Sequence, residues 1–341
     1  MKKLSIIFTL LLGYIITINA QISIRTEIPS QPTISKIAPY DSLANFDIDY
    51  DIVTKKYSSI DDANVHLKQQ FEKYKGQDLY ILPPTQRNAQ LNFGNKIDKL
   101  RGKYYNITDI NFEIRERYDG TYEIENLIFQ LKDSKGKKAK WETPYYSLDE
   151  SLLVGYYEKL KKNCVNHKFI YTGRAKGKGS LFIKEPQIDH TAIDTKTKEV
   201  IKLHSGQEWH CSDVQLVDDE YSMELYAVLN NNEGAEIIAR LKNRFKFNGE
   251  MNVAFFSCFM IENEYTNWKN QIIEKYGEKY GNMILLRKVQ IGMTKEMCSE
   301  SWGNPYDINT TSVNGKTSEQ WVYENDSYLY FDNGILTAVQ N

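Results

Sequence analysis

Cysteine is scarce in this chain: Cys164, Cys211, Cys258 and Cys298 are the four among 341 residues. So sparse a set excludes the disulfide-dense scaffolds that staple small secreted domains. Two bridges in any of three pairings remain open, but each cysteine lies in an apolar stretch, and buried free thiols are the favoured expectation. An excess of one charge is missing too. Lys and Arg number 43 against 45 Asp and Glu, a formal net charge of −2, so no global field draws the chain to nucleic acid or to a membrane surface. Beyond residue 20 no apolar run reaches the roughly eighteen residues of a membrane span. Familiar catalytic motifs are absent as well: there is no Gly-x-Ser-x-Gly elbow and no His-Glu-x-x-His helix.

What is present begins at the N-terminus. Lys2 and Lys3 precede a nearly unbroken apolar run from Leu4 to Ile18, and Asn19-Ala20-Gln21 follows. That order is the order of a secretory signal peptide over residues 1–20, with cleavage expected after Ala20 and an uncleaved anchor as the alternative. Residues 21–59 hold Pro29, Pro32 and Pro39 among Ser and Thr and predict an extended leader or linker. Within it "FDIDYDI" begins like a calcium loop, but Ile52 stands where that loop needs Gly, so a half-wet strand is expected.

The middle of the chain repeats itself. "GKYYNITDI" at 102–110 echoes "GQEWHCSDV" at 206–214, and "YEIENLIFQLKDSKGKKAKW" at 122–141 echoes "YSMELYAVLNNNEGAEIIARL" at 221–241. Helical stripes precede apolar runs three times: Leu67 and Phe71; Tyr156, Leu160 and Cys164; Trp268, Ile272, Tyr276 and Tyr280. In each case a strand is expected after the helix, the last one at "NMILL". The constant offset predicts two diverged β-rich modules, residues 60–152 and 153–266. "EIIARLKNRF" has helical spacing, yet its repeat partner follows a Lys-Gly turn, so a returning strand is expected there.

Residues 267–341 have clearer punctuation. Thr294 is placed to cap a helix, Glu296 lies in its first turn, and Gly303 and Pro305 end it. Four alternating runs follow, divided by Asn314-Gly315, Asn325-Asp326 and Asp332-Asn333-Gly334, which predicts an antiparallel meander.

This segment resembles the SmpA/OmlA family, the BamE-like outer-membrane assembly factors, whose fold is similar to that of β-lactamase-inhibitor proteins. The resemblance rests on "VQIGMTKEMCSESWGNP" (289–305), "EQWVY" (319–323) and "YLYFDNGILTAV" (328–339), about fifty residues in all. It implies a non-catalytic periplasmic domain working at the outer membrane through protein or lipid contacts. The family's lipoproteins carry a lipidated N-terminal cysteine; none lies near Ala20, so no lipid anchor is expected.

Cys298 is flanked by Glu296 and Glu300, and no histidine follows His210, so it is read as a core residue rather than a nucleophile. His204, His210, Cys211 and Asp213 are the best metal set, but strand alternation sends His210 and Cys211 to opposite faces. "GRAKGKGS" (173–180) lacks phosphate-loop spacing and is read as a solvated loop. The 24 tyrosines are the compositional excess. Trp321 and Tyr323 share one face of their strand, and Tyr328 and Tyr330 one face of the next. If that face looks away from the helix it is a partner-binding patch; if toward it, core.

The sequence therefore predicts an α+β protein with two β-rich repeat modules, joined by helices, and a C-terminal helix-and-meander domain. No catalytic residue, metal or cofactor is assigned. The expected role is an exported binding or envelope-assembly module, periplasmic or associated with the outer membrane. Its expected partner is an envelope protein, with lipid-headgroup contact open and nucleic acid excluded. The alternative is an enzyme or small-ligand carrier with a site between modules.

Overall fold

The computed structural model describes residues 24–26, 55–85, 96–144, 148, 150–173, 190–218, 223–241, 254–255, 258–313, 315–323 and 326–340. The expected signal peptide and "FDIDYDI" lie outside these residues. Those described form a mixed α+β protein with four α-helices and several antiparallel sheets. None of these helices is long and apolar enough to cross a membrane.

Strand β1 (Ile24–Thr26) belongs to the expected leader, yet it pairs with a strand some two hundred residues on, as described below. Helix α1 (Ile60–Glu72) precedes the first large sheet. Ser59 caps it by accepting from the Asp62 amide at 3.1 Å, with Asp61 and Asp62 in the first turn. Ala63, Leu67 and Phe71 are buried at four-residue spacing, one stripe laid on a sheet. That sheet contains β2 (Asp78–Ile81), β3 (Lys103–Glu116), β4 (Tyr122–Lys132), β5 (Lys138–Pro144) and β6 (Ser151–Leu153) in the order β5-β4-β3-β2-β6.

Strand β6 runs straight into α2 (Val154–Cys164), which precedes the second large sheet. There β7 (Lys168–Tyr171), β10 (Glu208–Asp218), β11 (Met223–Asn230), β12 (Glu236–Arg240), β13 (Ala254–Phe255) and β14 (Phe259–Ile261) form a sheet of order β13-β12-β11-β10-β7-β14. Strand β1 joins it on β10, and β13 pairs with β12 in parallel. A small hairpin, β8 (Thr191–Ile193) with β9 (Val200–Lys202), forms its own two-stranded sheet and packs Ala192 into the same core. "EIIAR" is a strand, as the hairpin reading expects; residues 242–250 lie outside the described set. One continuous core, including Phe71, Phe129, Trp141, Tyr156, Trp209 and Leu229, runs through both large sheets. Tyr157 on α2 reinforces it by donating to the Val214 carbonyl at 2.9 Å.

The two large sheets share backbone details that hydrophobic pattern alone does not impose. After each first helix one residue turns left-handed: Gly76 (φ 81°) and Asn166 (φ 64°). Gly76 N–H then donates to the Ile107 carbonyl at 2.8 Å, and Asn166 N–H to the Cys211 carbonyl at 2.9 Å. Each long strand bulges at the next position, between Ile107 and Asp109 and between Cys211 and Asp213. The extra residues, Thr108 and Ser212, each donate their hydroxyl to a carbonyl across the strand pair, Gln130 at 3.0 Å and Val228 at 3.3 Å.

Helix α3 (Glu262–Leu285) follows β14 directly. It corrects two expectations. The stripe from Trp268 to Tyr280 is not one continuous face, because Gly277 (φ 75°, ψ 165°) breaks the helix between Tyr276 and Tyr280. A Cβ on Gly281 would lie 2.7 Å from Ile273 Cδ1, so the two arms fold against each other. "NMILL" is not a strand either: the helix runs to Leu285 and buries Ile284 and Leu285. A short apolar run fits a strand or a buried helix equally well, and packing decides. Helix α4 (Lys295–Trp302) then leads to β15 (Asp307–Val313), β16 (Lys316–Val322), β17 (Tyr328–Asp332) and β18 (Ile335–Gln340), paired in sequence order as a meander.

The left-handed corner yields a paired prediction. A Cβ on Gly76 meets nothing within 4 Å, so Gly76→Ala carries a purely conformational cost of about 1–2 kcal/mol. Asn166→Gly is expected to hold or raise stability. Urea unfolding midpoints check both, and equal losses at the two sites would contradict the shared geometry.

Candidate partner-binding face

The C-terminal domain places the aromatic candidates. Thr294 caps α4 by accepting from the Met297 amide at 3.2 Å, and Gly303 (φ 88°) ends it with its N–H on the Ser299 carbonyl. The far end is fixed by two further bonds. Ser301 Oγ donates to the Lys288 carbonyl at 2.8 Å, and Trp302 Nε1 to the Arg287 carbonyl at 3.1 Å. The inward face of α4 presents Cys298, fully buried, to the sheet.

Strand register decides which sheet residues meet it. Trp321 stands opposite Leu329, and Leu329 opposite Val339; Glu319 stands opposite Phe331, and Phe331 opposite Leu336. Directly opposed residues share a face. Trp321, Leu329, Phe331 and Leu336 are accordingly buried with Met293, Cys298, Ile272 and Ile284 in one cluster. The Trp321 and Phe331 rings lie 4.7 Å apart. Tyr323 belongs to the same side: it meets Trp302 edge-on at 5.3 Å and donates to the Gly303 carbonyl at 3.0 Å. Burial raises its phenol above the ordinary value.

Tyr328 and Tyr330 face the other way. Their cross-strand partners are Val322 and Gln320, so Trp321 and Tyr323 do not share a face with them. The expectation of one aromatic patch built from all four residues is corrected: Trp321 and Tyr323 are core, and only Tyr328 and Tyr330 stand on the outer face. Sequence reasoning missed their companions. Asn309 Nδ2 donates to Gln320 Oε1 at 3.1 Å, Gln320 Nε2 to the Tyr330 hydroxyl at 3.1 Å, and that hydroxyl to Gln340 Oε1 at 2.9 Å. This ladder crosses all four strands and fixes the Tyr330 ring, while Tyr328 lies beside it with centroids 6.5 Å apart. Alternation within each strand, combined with the Asn314-Gly315 turn, held the signal for this row, because the turn sets the register.

Helix and sheet are joined by Glu319. It accepts from Lys295 Nζ at 2.9 Å and from Trp321 Nε1 at 2.9 Å. Lys295 first, and Trp321 second, hold its carboxyl below the usual glutamate range.

The other chemical candidates are dispersed. Cys164, Cys211, Cys258 and Cys298 are all buried thiols, none of them in a disulfide. Burial pushes the thiols of Cys211 and Cys298 up to about 12 and that of Cys164 up to about 11, which leaves almost no thiolate at neutral pH. His204 and His210 are exposed, whereas Cys211 points into the core. Asp213 is engaged by Lys161 at 3.2 Å. Among the described residues no three His, Cys, Asp or Glu side chains gather as a metal site. Of "GRAKGKGS" only Gly173 is described; residues 174–180 lie outside. Comparisons with protein-family models, with curated proteins and with solved structures found no match.

Glu319 gives a pH prediction. Its folded-state pKa is depressed, so its contribution is complete above the ordinary glutamate value of about 4.3 and is lost as pH falls through the lower folded value. Glu319→Ala strips the buried Trp321 N–H of its acceptor and is expected to cost about 1–3 kcal/mol at pH 7. Urea titrations at pH 7 and below 4 check this: the gap between variant and wild type should narrow in acid, and a pH-independent gap would contradict it.

Proposed function

We propose that the protein is an exported, non-catalytic binding or envelope-assembly module that works in the periplasm or at the outer membrane through protein–protein contacts. The observation that carries this reading is the outer face of the C-terminal meander. Tyr330 is held there by amides from strands on either side, with Tyr328 alongside, and neither ring enters the core cluster. A pinned, half-exposed tyrosine offers contact area at little entropic cost on binding. The capped helix lying on a four-stranded meander is also the arrangement that the BamE-like resemblance implies.

Two further features support the reading. The signal-like start of the chain fits export. The matching corners and bulges at Gly76 and Asn166 fit two diverged copies of one module, a common origin for scaffolds that present binding surfaces. In this reading the duplicated unit carries the C-terminal domain, and partner recognition falls to Tyr328 and Tyr330.

The test is capture of partners from envelope extracts by the wild-type protein and by a Tyr328→Ala/Tyr330→Ala double variant. Both residues lie outside the core, so the variant should fold with an unchanged far-UV spectrum. It should lose at least about tenfold in capture, or roughly 1.4 kcal/mol. Undiminished capture, or a tightly held small molecule in place of any protein partner, would overturn the proposal.

A further inference from the structure

The paired modules provide an internal control for a charged feature that the fold does not require. The β4–β5 hairpin and the β11–β12 hairpin make the same turn. Asp133 N–H donates to the Lys137 carbonyl at 3.0 Å, and Asn231 N–H to the Ala235 carbonyl at 3.1 Å. Asp133 Oδ1 accepts from the amides of Lys135 and Lys137, as Asn231 Oδ1 does from those of Glu233 and Ala235. Gly136 and Gly234 take the left-handed position in each, at φ 82° and 91°.

The side chains on this common backbone differ in charge. Residues 132–138 read "KDSKGKK", four lysines against one aspartate; residues 230–236 read "NNNEGAE", two glutamates and no cation. The turn therefore forms without a lysine of its own, the Lys196 ammonium reaching the Gly234 carbonyl from outside it at 3.1 Å. Lys132 and Lys138 even stand directly opposite one another across the strands, and a like-charged pair there weakens the hairpin. Lys132, Lys135, Lys137 and Lys138 are all exposed, and none makes an ion pair with another described residue. Four uncompensated cations thus gather at one hairpin end of a chain whose net charge is negative.

We propose that the 132–138 hairpin is a docking surface for an anionic lipid bilayer. The composition selects this partner over other polyanions. There is no arginine in the hairpin to grip a phosphate with two parallel bonds, and no aromatic residue to stack on a base. Nor does it carry a large apolar side chain of the kind that anchors a protein interface; Trp141, just beyond, is buried. What remains is a set of flexible point charges around a convex turn. A flat, laterally mobile layer of anionic headgroups meets such a set without demanding fixed geometry. The site lies in the first module and stands independently of the tyrosine face, so either can fail without the other.

Vesicle flotation tests it, using the protein as recovered from expressing cells. Vesicles of phosphatidylcholine alone are compared with vesicles containing phosphatidylglycerol. The protein should partition preferentially to the anionic vesicles, and the preference should fade as salt is raised from about 0.05 to about 0.5 M. Replacing the lysines by the residues of the other hairpin (Lys132→Asn, Lys135→Glu, Lys137→Ala, Lys138→Glu) should lower that preference on the order of a hundredfold, since each lysine contributes several-fold. The matching turn at residues 230–236 indicates that these residues are compatible with folding, and a urea midpoint no lower than the wild type's would verify it. Replacing all four lysines by arginine should retain binding. Equal partition to both vesicle types, or an anionic preference undiminished in the exchanged variant, would overturn the proposal. A duplex oligonucleotide that bound the wild type as tightly as the anionic vesicles would overturn it as well.

Discussion

The pairing of Trp321 with Leu329 governs everything that can be said about the C-terminal domain. Side chains alternate across a strand, so a slip of β17 by one residue would carry Leu329 and Phe331 to solvent. Burial of each large apolar side chain is worth about 1.5–3 kcal/mol, and such a slip would forfeit both at once. Register is therefore held firmly from the core side. The outer row of Asn309, Gln320, Tyr330 and Gln340 is its consequence: once the apolar set faces α4, these polar side chains must stand together on the other surface. The candidate binding face inherits its order from the core beneath it.

The same logic of obligatory placement operates in the two large sheets. A helix that must turn back into a strand needs a left-handed residue at the corner, and the freed backbone groups need partners. Gly76 and Asn166 meet the first need, and the carbonyls of Ile107 and Cys211 meet the second. The bulge beside each corner then bends the long strand, with Thr108 and Ser212 taking up the exposed acceptors. These features leave the intervening side chains free to differ. The lysine-rich and glutamate-bearing hairpins show how far that freedom extends on one backbone.

Much of this organisation was legible in the sequence, and the failures have physical causes. Thr294, Gly303 and the Asn-Gly turn carry local signals, because capping and turn chemistry act within a few residues. Residues 103–110 and 208–214, whose sequences echo one another, both lie on long strands. Which face of a strand is buried was not legible, since a period of two produces two equivalent sets and only the packed helix chooses between them. Trp321 and Tyr323 were misjudged as companions of Tyr328 and Tyr330 for that reason. The break at Gly277 hid inside a helical stripe, and "NMILL" offered apolar residues without a period to separate strand from helix. The three-residue β1 is too short for any pattern and owes its place to the long-range pairing with β10.

The central claim is that the tyrosine-bearing side of the C-terminal sheet is the surface that meets a partner. Site-specific photo-crosslinking in envelope fractions tests it most directly, with a photoreactive phenylalanine analogue placed in turn at positions 328, 330 and 336. The account predicts adducts to a distinct protein from 328 and 330 and none from 336, where Leu336 is fully buried. An absence of adducts at both tyrosine positions, in protein that retains its native unfolding midpoint, would contradict it.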